Sequence, residues 1–253
     1  MSNVRPHNAL LKPMTSTNKH TNLLAKFELG FISSIDDILA LVRKHDGSNY
    51  VFRGEDDTRY PLRAKMGRHR IEPETKDYFG TEKQVLHDFK RRATPYVTHR
   101  PGSELEWLAL AQHHGLATRL LDWSENILVA LYFAVRNYSR ASERVLYSLQ
   151  VDDFEYLEPD EDPFVIKKIY LYEPNHLTPR ISSQAGIFTV HPSPNTPFKS
   201  RRLRRWVIRD SAVISLGLSL DLLGVNAATM FPGLDGIAEH INNYGPVPLE
   251  DAA

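Results

Sequence analysis

The chemically richest stretch of the chain covers residues 110–124 and reads LAQHHGLATRLLDWS. It lies among some of the most apolar segments of the sequence, yet eight of its side chains can form hydrogen bonds: Gln112, His113, His114, Thr118, Arg119, Asp122, Trp123 and Ser124. Polar side chains at the edge of a hydrophobic core lower stability unless they find hydrogen-bond partners. A polar block in this setting therefore predicts a functional site.

The two adjacent histidines are a poor pair of metal ligands. Neighbouring positions on a helix point about 100° apart, so His113 and His114 cannot both face one ligand. No acid stands beside them in the sequence. We therefore predict no metal site, and we expect His114 to donate a hydrogen bond to a substrate or to act as a general acid.

Local patterns predict the elements that hold this polar block. Ser103 and Glu106 have the spacing of a capping box, and the apolar run behind them ends at Gly115, which predicts a helix. A strand is predicted over residues 118–123, and Ser124 is predicted to cap a largely buried helix behind it. The block thus occupies one helix end, one strand and one helix start.

The remaining elements follow from the same signals of capping, periodicity and turns. Ser34, Thr81 and Asp210 are each predicted to stand at the start of a helix, and a last helix is predicted after Phe231. Further strands are predicted over residues 50–54, 144–151, 165–172, 186–191 and 205–209. Helices and short strands are mixed without a regular β-α alternation, which favours an α+β fold over a doubly wound sheet.

Composition indicates one folded domain and excludes several classes of function. The 253 residues carry 31 basic and 31 acidic side chains, so the formal charge is zero and no global field attracts nucleic acid or a membrane. Without cysteine there is no disulfide, no thiolate metal site and no cysteine nucleophile. The sequence also lacks the P-loop, dinucleotide, zinc-protease, kinase and nucleophile-elbow motifs.

The predicted domain covers residues 27–245. Residues 1–26 are basic, without acids and without apolar periodicity, and we expect a mobile leader, with a transit peptide as the alternative. Residues 246–253 are expected to form a C-terminal tail. No apolar run approaches the roughly 18 residues of a membrane span, so we predict no membrane contact and a cytoplasmic location.

Several motifs together resemble the bacterial FRG domain family. The resemblance begins at Phe52-Arg53-Gly54 and includes the polar residues of the block 112–124. It extends over roughly residues 31–243 through Tyr60-x-Leu62, Arg68, Ala130-Leu131-x-Phe133-Ala134, Gln184-Ala185-Gly186-x-Phe188 and Phe231-Pro232-x-Leu234-x-Gly236. The resemblance implies one domain that spans most of the chain.

A more distant resemblance is to ADP-ribosyltransferases, and it implies a split, mixed β-sheet flanked by helices. It assigns catalytic positions to Arg53, Ser124 and Gln184, the last on a late strand, and NAD as the substrate. The guanidinium would bind phosphate or ribose, and the serine hydroxyl would hold the ribose at a helix start. Substrate-binding positions follow in the central block: Gln112, His113, His114, Thr118, Arg119 and Asp122. We expect Arg53, Asp122, Ser124 and Gln184 to line one concavity.

The chain departs from those enzymes at Gln184, where they carry a glutamate. An amide accepts a hydrogen bond from the ribose but cannot act as a base or supply negative charge. The resemblance implies ADP-ribosyl transfer or NAD glycohydrolysis, by a bacterial toxin or anti-phage defence effector. Because of Gln184, this chemistry needs another acid, such as Glu55 or Asp122. The alternative is a non-catalytic nucleotide-sensing or ligand-binding module, which needs only arginine and amide donors. A purely structural interpretation also stays open, in which Arg53 forms an ion pair with Asp122 and Asp122 anchors backbone amides.

A basic run offers a second kind of partner. Six bases and no acid stand between residues 199 and 209, and Trp206 lies among them. Basic residues next to an aromatic ring suit binding to nucleic-acid phosphates, with contacts through Arg201, Arg202, Arg204 and Arg205. The other interpretations are a solvated loop, or pairing with the seven acids of residues 152–162.

Overall fold

The computed structural model describes residues 28–45, 49–68, 78–98, 100–138, 142–175 and 183–244. The predicted leader 1–26 and tail 246–253 lie outside the described residues, so the expectation of a mobile leader stays a prediction. Within the described ranges, no helix is both long enough and apolar enough to cross a membrane.

The fold is α+β and is built on one mixed, open sheet. Its order is β1-β7-β4-β2-β3-β6-β5, with β1 parallel to β7 and every other neighbouring pair antiparallel. The strands are β1 (Glu28–Ile32), β2 (Tyr50–Glu55), β3 (Leu120–Ser124), β4 (Arg144–Gln150), β5 (Tyr170–Tyr172), β6 (Gly186–Val190) and β7 (Leu203–Ile208).

Helices flank this sheet. They are α1 (Ile35–Lys44), α2 (Tyr78–Ala93), α3 (Glu104–His113), α4 (Ile127–Val135), α5 (Val213–Leu222), α6 (Ala227–Met230) and α7 (Leu234–Tyr244). The helix α4 is apolar around nearly its whole circumference because it packs between the sheet and α5. Its Leu131 shares a core cluster with Phe52 of β2 and Leu216 of α5. The helix α3 packs with Leu120 and Phe188 in a second cluster.

The sheet is continuous in order but opens at its centre, between β2 and β3. While β2 pairs with β4 along its whole length, its register with β3 is limited to Phe52 opposite Ser124. On the open edge of β3, side chains satisfy the main-chain carbonyl groups. Gln112 donates to Leu120 O over 3.2 Å, and Arg53 donates to Asp122 O over 2.8 Å.

Three predicted helix starts are wrong. The helix α2 begins at Tyr78, so Thr81 lies within it. The cap of α4 is Asn126, whose side chain accepts from Leu128 N, because β3 extends to Ser124. Asp210 begins a short 3₁₀ turn without a side-chain cap, and its carboxylate accepts a hydrogen bond from Arg144 instead.

Tertiary packing also shortens one predicted strand. The segment predicted over residues 165–172 is a strand only at Tyr170–Tyr172. Phe164 and Ile166, just before it, pack against the cluster around α3. An apolar run here therefore covers a helix rather than pairing in the sheet, a distinction that periodicity alone does not make.

Candidate functional site

A cavity of about 690 Å³ lies where β2 and β3 separate. This volume is within the usual range for small-molecule sites. Its walls come from both strands, the end of α3, the helices α4 and α7, and the segment before β6. Six of the nine predicted site residues line it together: Arg53, Gln112, His113, Asp122, Ser124 and Gln184.

Arg53 bridges the opening of the sheet. Its Nε and Nη2 atoms lie 2.8 and 2.7 Å from Glu55 Oε1. Its Nη1 donates to the main-chain oxygen of Asp122 over 2.8 Å and lies 3.4 Å from Asp122 Oδ2. The guanidinium therefore takes the place of a missing sheet hydrogen bond. The ion pair with Asp122 expected in the structural interpretation is present, and Glu55 is a second partner.

Both members of the Arg53–Glu55 pair stay charged at neutral pH. Burial opposes charge on Arg53, but the carboxylates of Glu55 and Asp122 outweigh it and raise the pKa of the guanidinium. Burial likewise opposes charge on Glu55, but Arg53 and Arg68 outweigh it and lower the pKa of the carboxyl group. Glu55 is thus a carboxylate in the cavity wall and not a source of protons.

The residues on either side of Arg53 set the position of the cavity wall. Phe52 is buried in the core and forms the registered pair with Ser124. A Cβ atom on Gly54 would lie 1.9 Å from Ala130 O and 2.7 Å from Ala134 N. Glycine is therefore required for α4 to lie against β2, and the tripeptide Phe52-Arg53-Gly54 combines a core anchor, a cavity cation and a close backbone contact.

Ser124 holds the segment that carries Gln184. Its hydroxyl donates to the main-chain oxygen of Gln184 over 2.7 Å and accepts from Asn126 N. Next to Gln184, Ala185 has φ 43°, in the left-handed region that costs a non-glycine residue about 1–2 kcal/mol. Gln184 is helical and lies two residues before the start of β6, and its Nε2 donates to Met230 O over 3.1 Å. The expectation that it lies on a strand is wrong.

The comparison with protein families assigns the centre of the chain. Residues 48–143 match the family model described as FRG domain. The chain contains an FRG domain. The matched segment supplies β2 and β3, including the Phe52-Arg53-Gly54 tripeptide and the polar block, whereas the other five strands lie outside it. The wider boundary at residues 27–245 stays a prediction. No curated protein matches the chain, and no solved structure matches it.

Three predicted site residues of the FRG domain lie outside the lining of the cavity. His114 is exposed at the end of α3, whereas Thr118 and Arg119 are buried. The Thr118 hydroxyl donates to the Gln112 side chain, and Arg119 forms an ion pair of 2.7 Å with Glu82. These partners belong to the protein, so the two buried residues support the polar block, and their contact with a substrate stays a prediction.

The structure adds cavity residues that the sequence did not single out as site residues. Arg136 and Asn137 at the end of α4 line the cavity, as do Glu239 and Asn243 of α7. Arg136 lies 3.6 Å from Glu239 and 4.8 Å from the centre of the Phe231 ring. The available signal was helical spacing, because Phe133 and Arg136 are three residues apart and share one face of α4.

The basic run does not form one continuous face. Arg201 and Arg204 are exposed, whereas Arg205 is buried in β7. Arg202 binds the side chains of Gln150 and Asp153, so part of the run pairs with the acidic segment 152–162. Nucleic-acid contact through all four arginines stays a prediction. In the described part of the chain, no group of three or more His, Asp or Glu side chains is arranged to hold a metal ion.

Proposed function

We propose that the FRG domain binds NAD in this cavity and transfers its ADP-ribose to an acceptor or to water. In this reaction the bond from ribose C1′ to the nicotinamide nitrogen breaks, and its electron pair leaves with nicotinamide. The acceptor forms a new bond to C1′ and loses its proton to solvent. The transition state has positive charge on the ribose, so a nearby anion accelerates the step.

The observation that carries this proposal is the exposed carboxylate of Asp122 in the cavity wall. The Asp122 side chain is 56% exposed, and its contact with Arg53 is longer than the Arg53–Glu55 contact, at 3.4 against 2.7 Å. Glu55 is less suited because two arginines, Arg53 and Arg68, compensate its charge. Asp122 is therefore the residue that supplies the acid missing at Gln184.

The other residues then have supporting roles. The Nε2 of Gln184 is held by Met230 O, which leaves the side-chain oxygen as an acceptor for the ribose 2′-hydroxyl. Ser124 keeps this segment in place from the other side. At the far end of the cavity, the partly exposed Arg136 offers a planar cation for the pyrophosphate.

The test is nicotinamide release, measured by mass spectrometry after incubation of the full chain with NAD. We expect Asp122→Asn to lower the rate at least a hundredfold, because loss of one electrostatic group at a transition state costs about 10²–10³ in rate. Asp160→Asn removes an exposed acid in a distant loop and is the matched control. Equal rates for wild type and Asp122→Asn would contradict the assignment.

A second candidate function, nucleotide sensing without catalysis, is favoured by a specific observation. The polar atoms of Arg53 and Ser124 already have protein partners, so both residues can serve to shape a binding site. In a sensor, Gln184→Glu places an anion near the phosphates of the ligand and lowers affinity. In an enzyme, the same change preserves affinity and increases the rate. Nucleotide binding without nicotinamide release by wild type or Gln184→Glu would establish the sensor.

The proposed chemistry predicts a biological role as a toxin or anti-phage effector. NAD consumption inside a bacterial cell removes a cofactor that growth requires. Expression of the wild-type chain is expected to lower cellular NAD and arrest growth, and Asp122→Asn at the same protein level is expected to do neither. If wild type and Asp122→Asn both arrest growth while cellular NAD stays unchanged, the toxicity does not come from NAD cleavage.

A further inference from the structure

A second cavity of about 370 Å³ adjoins the opening of the sheet. It shares Arg53, Gln112 and Asp122 with the main cavity, and it adds Lys65 and Arg68 from a 3₁₀ turn. The shared residues place the two cavities next to each other across the gap between β2 and β3. Neither NAD cleavage nor nucleotide sensing in the main cavity makes use of the second cavity.

The charges around the second cavity favour an anion. Three cations line it, namely Arg53, Lys65 and Arg68, against the single carboxylate of Asp122. Glu55 pairs with both arginines and compensates one further charge. Three cations against two carboxylates leave an excess of positive charge around this recess.

The turn that carries Lys65 and Arg68 is tightly held. The main-chain N–H of Met66 donates to Thr118 O over 3.0 Å. A Cβ atom on the buried Gly67 would lie 1.9 Å from Pro194 O, so the turn lies directly against the loop around residue 194. The two cations are thus attached to a backbone with little freedom to move, and a ligand would not have to order it.

Both added cations keep donors that the described residues do not use. The Lys65 ammonium donates to Gly115 O over 2.6 Å, which occupies one of its three N–H groups. Arg68 Nε donates to Arg63 O over 3.0 Å and Nη2 to Glu55 over 3.3 Å. No described residue accepts from Arg68 Nη1. These N–H groups match the several acceptor oxygens of a phosphate group.

We propose that the second cavity is a binding site for a phosphate group, contacted by Lys65 and Arg68. The proposal does not depend on NAD cleavage. The phosphate has two sources with the same chemistry. It belongs to a nucleotide that extends from the main cavity, or to a separate phosphorylated molecule that reaches the opening of the sheet from this side.

The test is titration of the full chain with inorganic phosphate, by calorimetry at constant ionic strength. We expect Lys65→Gln and Arg68→Gln each to weaken phosphate binding about tenfold, the usual cost of one charge-assisted hydrogen bond. Lys167→Gln removes an exposed lysine elsewhere and is expected to bind phosphate like wild type. Because Arg68 also contacts Glu55, thermal unfolding of each variant confirms that it is folded.

Competition with ADP-ribose identifies the source of the phosphate. Displacement of phosphate by ADP-ribose supports the proposal with the nucleotide as the source, and simultaneous binding supports it with a separate phosphorylated molecule. Wild-type affinity in Lys65→Gln, or a wild type that binds no phosphate, would overturn the proposal. Because phosphate binding is measured without NAD, a failure here is distinguishable from a failure of the NAD reaction.

Discussion

Two arginine–glutamate pairs in this protein have the same chemistry and opposite surroundings. Arg53–Glu55 in the site and Arg119–Glu82 in the scaffold both have a shortest contact of 2.7 Å. The scaffold pair is sealed, with side chains 0% and 1% exposed, and its guanidinium also binds Pro163 O and lies over the Phe164 ring. The site pair is 14% and 11% exposed and borders a cavity.

The difference shows how the same residue types divide between stability and function. Arg119 connects β3 with α2 and the loop around Phe164, and these contacts all lie inside the protein. Arg53 connects β2 with the open edge of β3, and the carboxylate of its partner Asp122 remains half exposed. Removal of a buried charge partner is therefore expected to damage the scaffold more than the site.

The largest predicted effect is in the scaffold pair. Arg119→Ala leaves Glu82 as an uncompensated buried charge, and we expect the free energy of unfolding to fall by about 3–5 kcal/mol. Urea denaturation measures this loss. The double variant Arg119→Met with Glu82→Leu removes both charges and is expected to recover most of the stability. A loss below about 1 kcal/mol in Arg119→Ala would remove the contrast between the two pairs.

The next effect is the pH dependence of the same scaffold region. Burial, and then Arg119, lower the pKa of His191 from 6.5 to about 4. Between these values the unfolded chain binds a proton at His191 and the folded chain does not, so the free energy of unfolding decreases as the pH falls. The slope approaches about 1.4 kcal/mol per pH unit, and the total is roughly 3 kcal/mol.

Denaturation of wild type and His191→Gln between pH 7.5 and 3 isolates this effect, and we expect a flatter profile in the variant between 6.5 and 4. The site pair responds at lower pH. Because the pKa of Glu55 lies below 4.5, its contribution is complete above that pH and is lost only as the pH falls through the lower, folded value. If the stability of wild type and of His191→Gln changes with pH in the same way, His191 is not the cause of the pH dependence.

A smaller stability effect is predicted for the site pair itself. Arg53→Ala is expected to lower the free energy of unfolding by about 1–3 kcal/mol, because Glu55 loses one partner but keeps Arg68. The variant is expected to fold and to lose nucleotide binding, measured by calorimetry. A loss equal to that of Arg119→Ala, with ligand binding intact, would make Arg53 a scaffold residue.

The smallest predicted effect concerns strain, which distinguishes the site from the scaffold in another way. Ala185→Gly relieves the left-handed backbone at φ 43° and is expected to stabilise the protein by about 0.5–1 kcal/mol. Affinity for nucleotide is expected to fall, because the segment that holds Gln184 becomes less ordered. The exposed, helical Ala40 is the matched control, since Ala40→Gly should destabilise by about 1 kcal/mol. If Ala185→Gly and Ala40→Gly change the free energy of unfolding in the same direction, the backbone at Ala185 is not strained.

The sequence predicted the parts of the site that depend on local signals. Ser34 and Ser103 cap α1 and α3 as expected, and the chain turns after α3 at Gly115 with φ 87°. The prediction failed at Ser124, where a local signal competes with pairing to a distant strand. A serine before an apolar run is a good cap, but pairing with β6 keeps Ser124 in the strand and transfers the cap to Asn126.

Short-range patterns were enough to predict most of the element types, the FRG domain, and Arg53, Asp122, Ser124 and Gln184 as candidates. Which polar residues face a cavity depends on tertiary packing. Arg53 and Arg119 are both predicted site residues, yet Arg119 is buried against Glu82, 37 positions away, and Arg53 borders the gap in the sheet. Burial and charge partners arise from contacts between distant segments, and a local pattern carries no information about them.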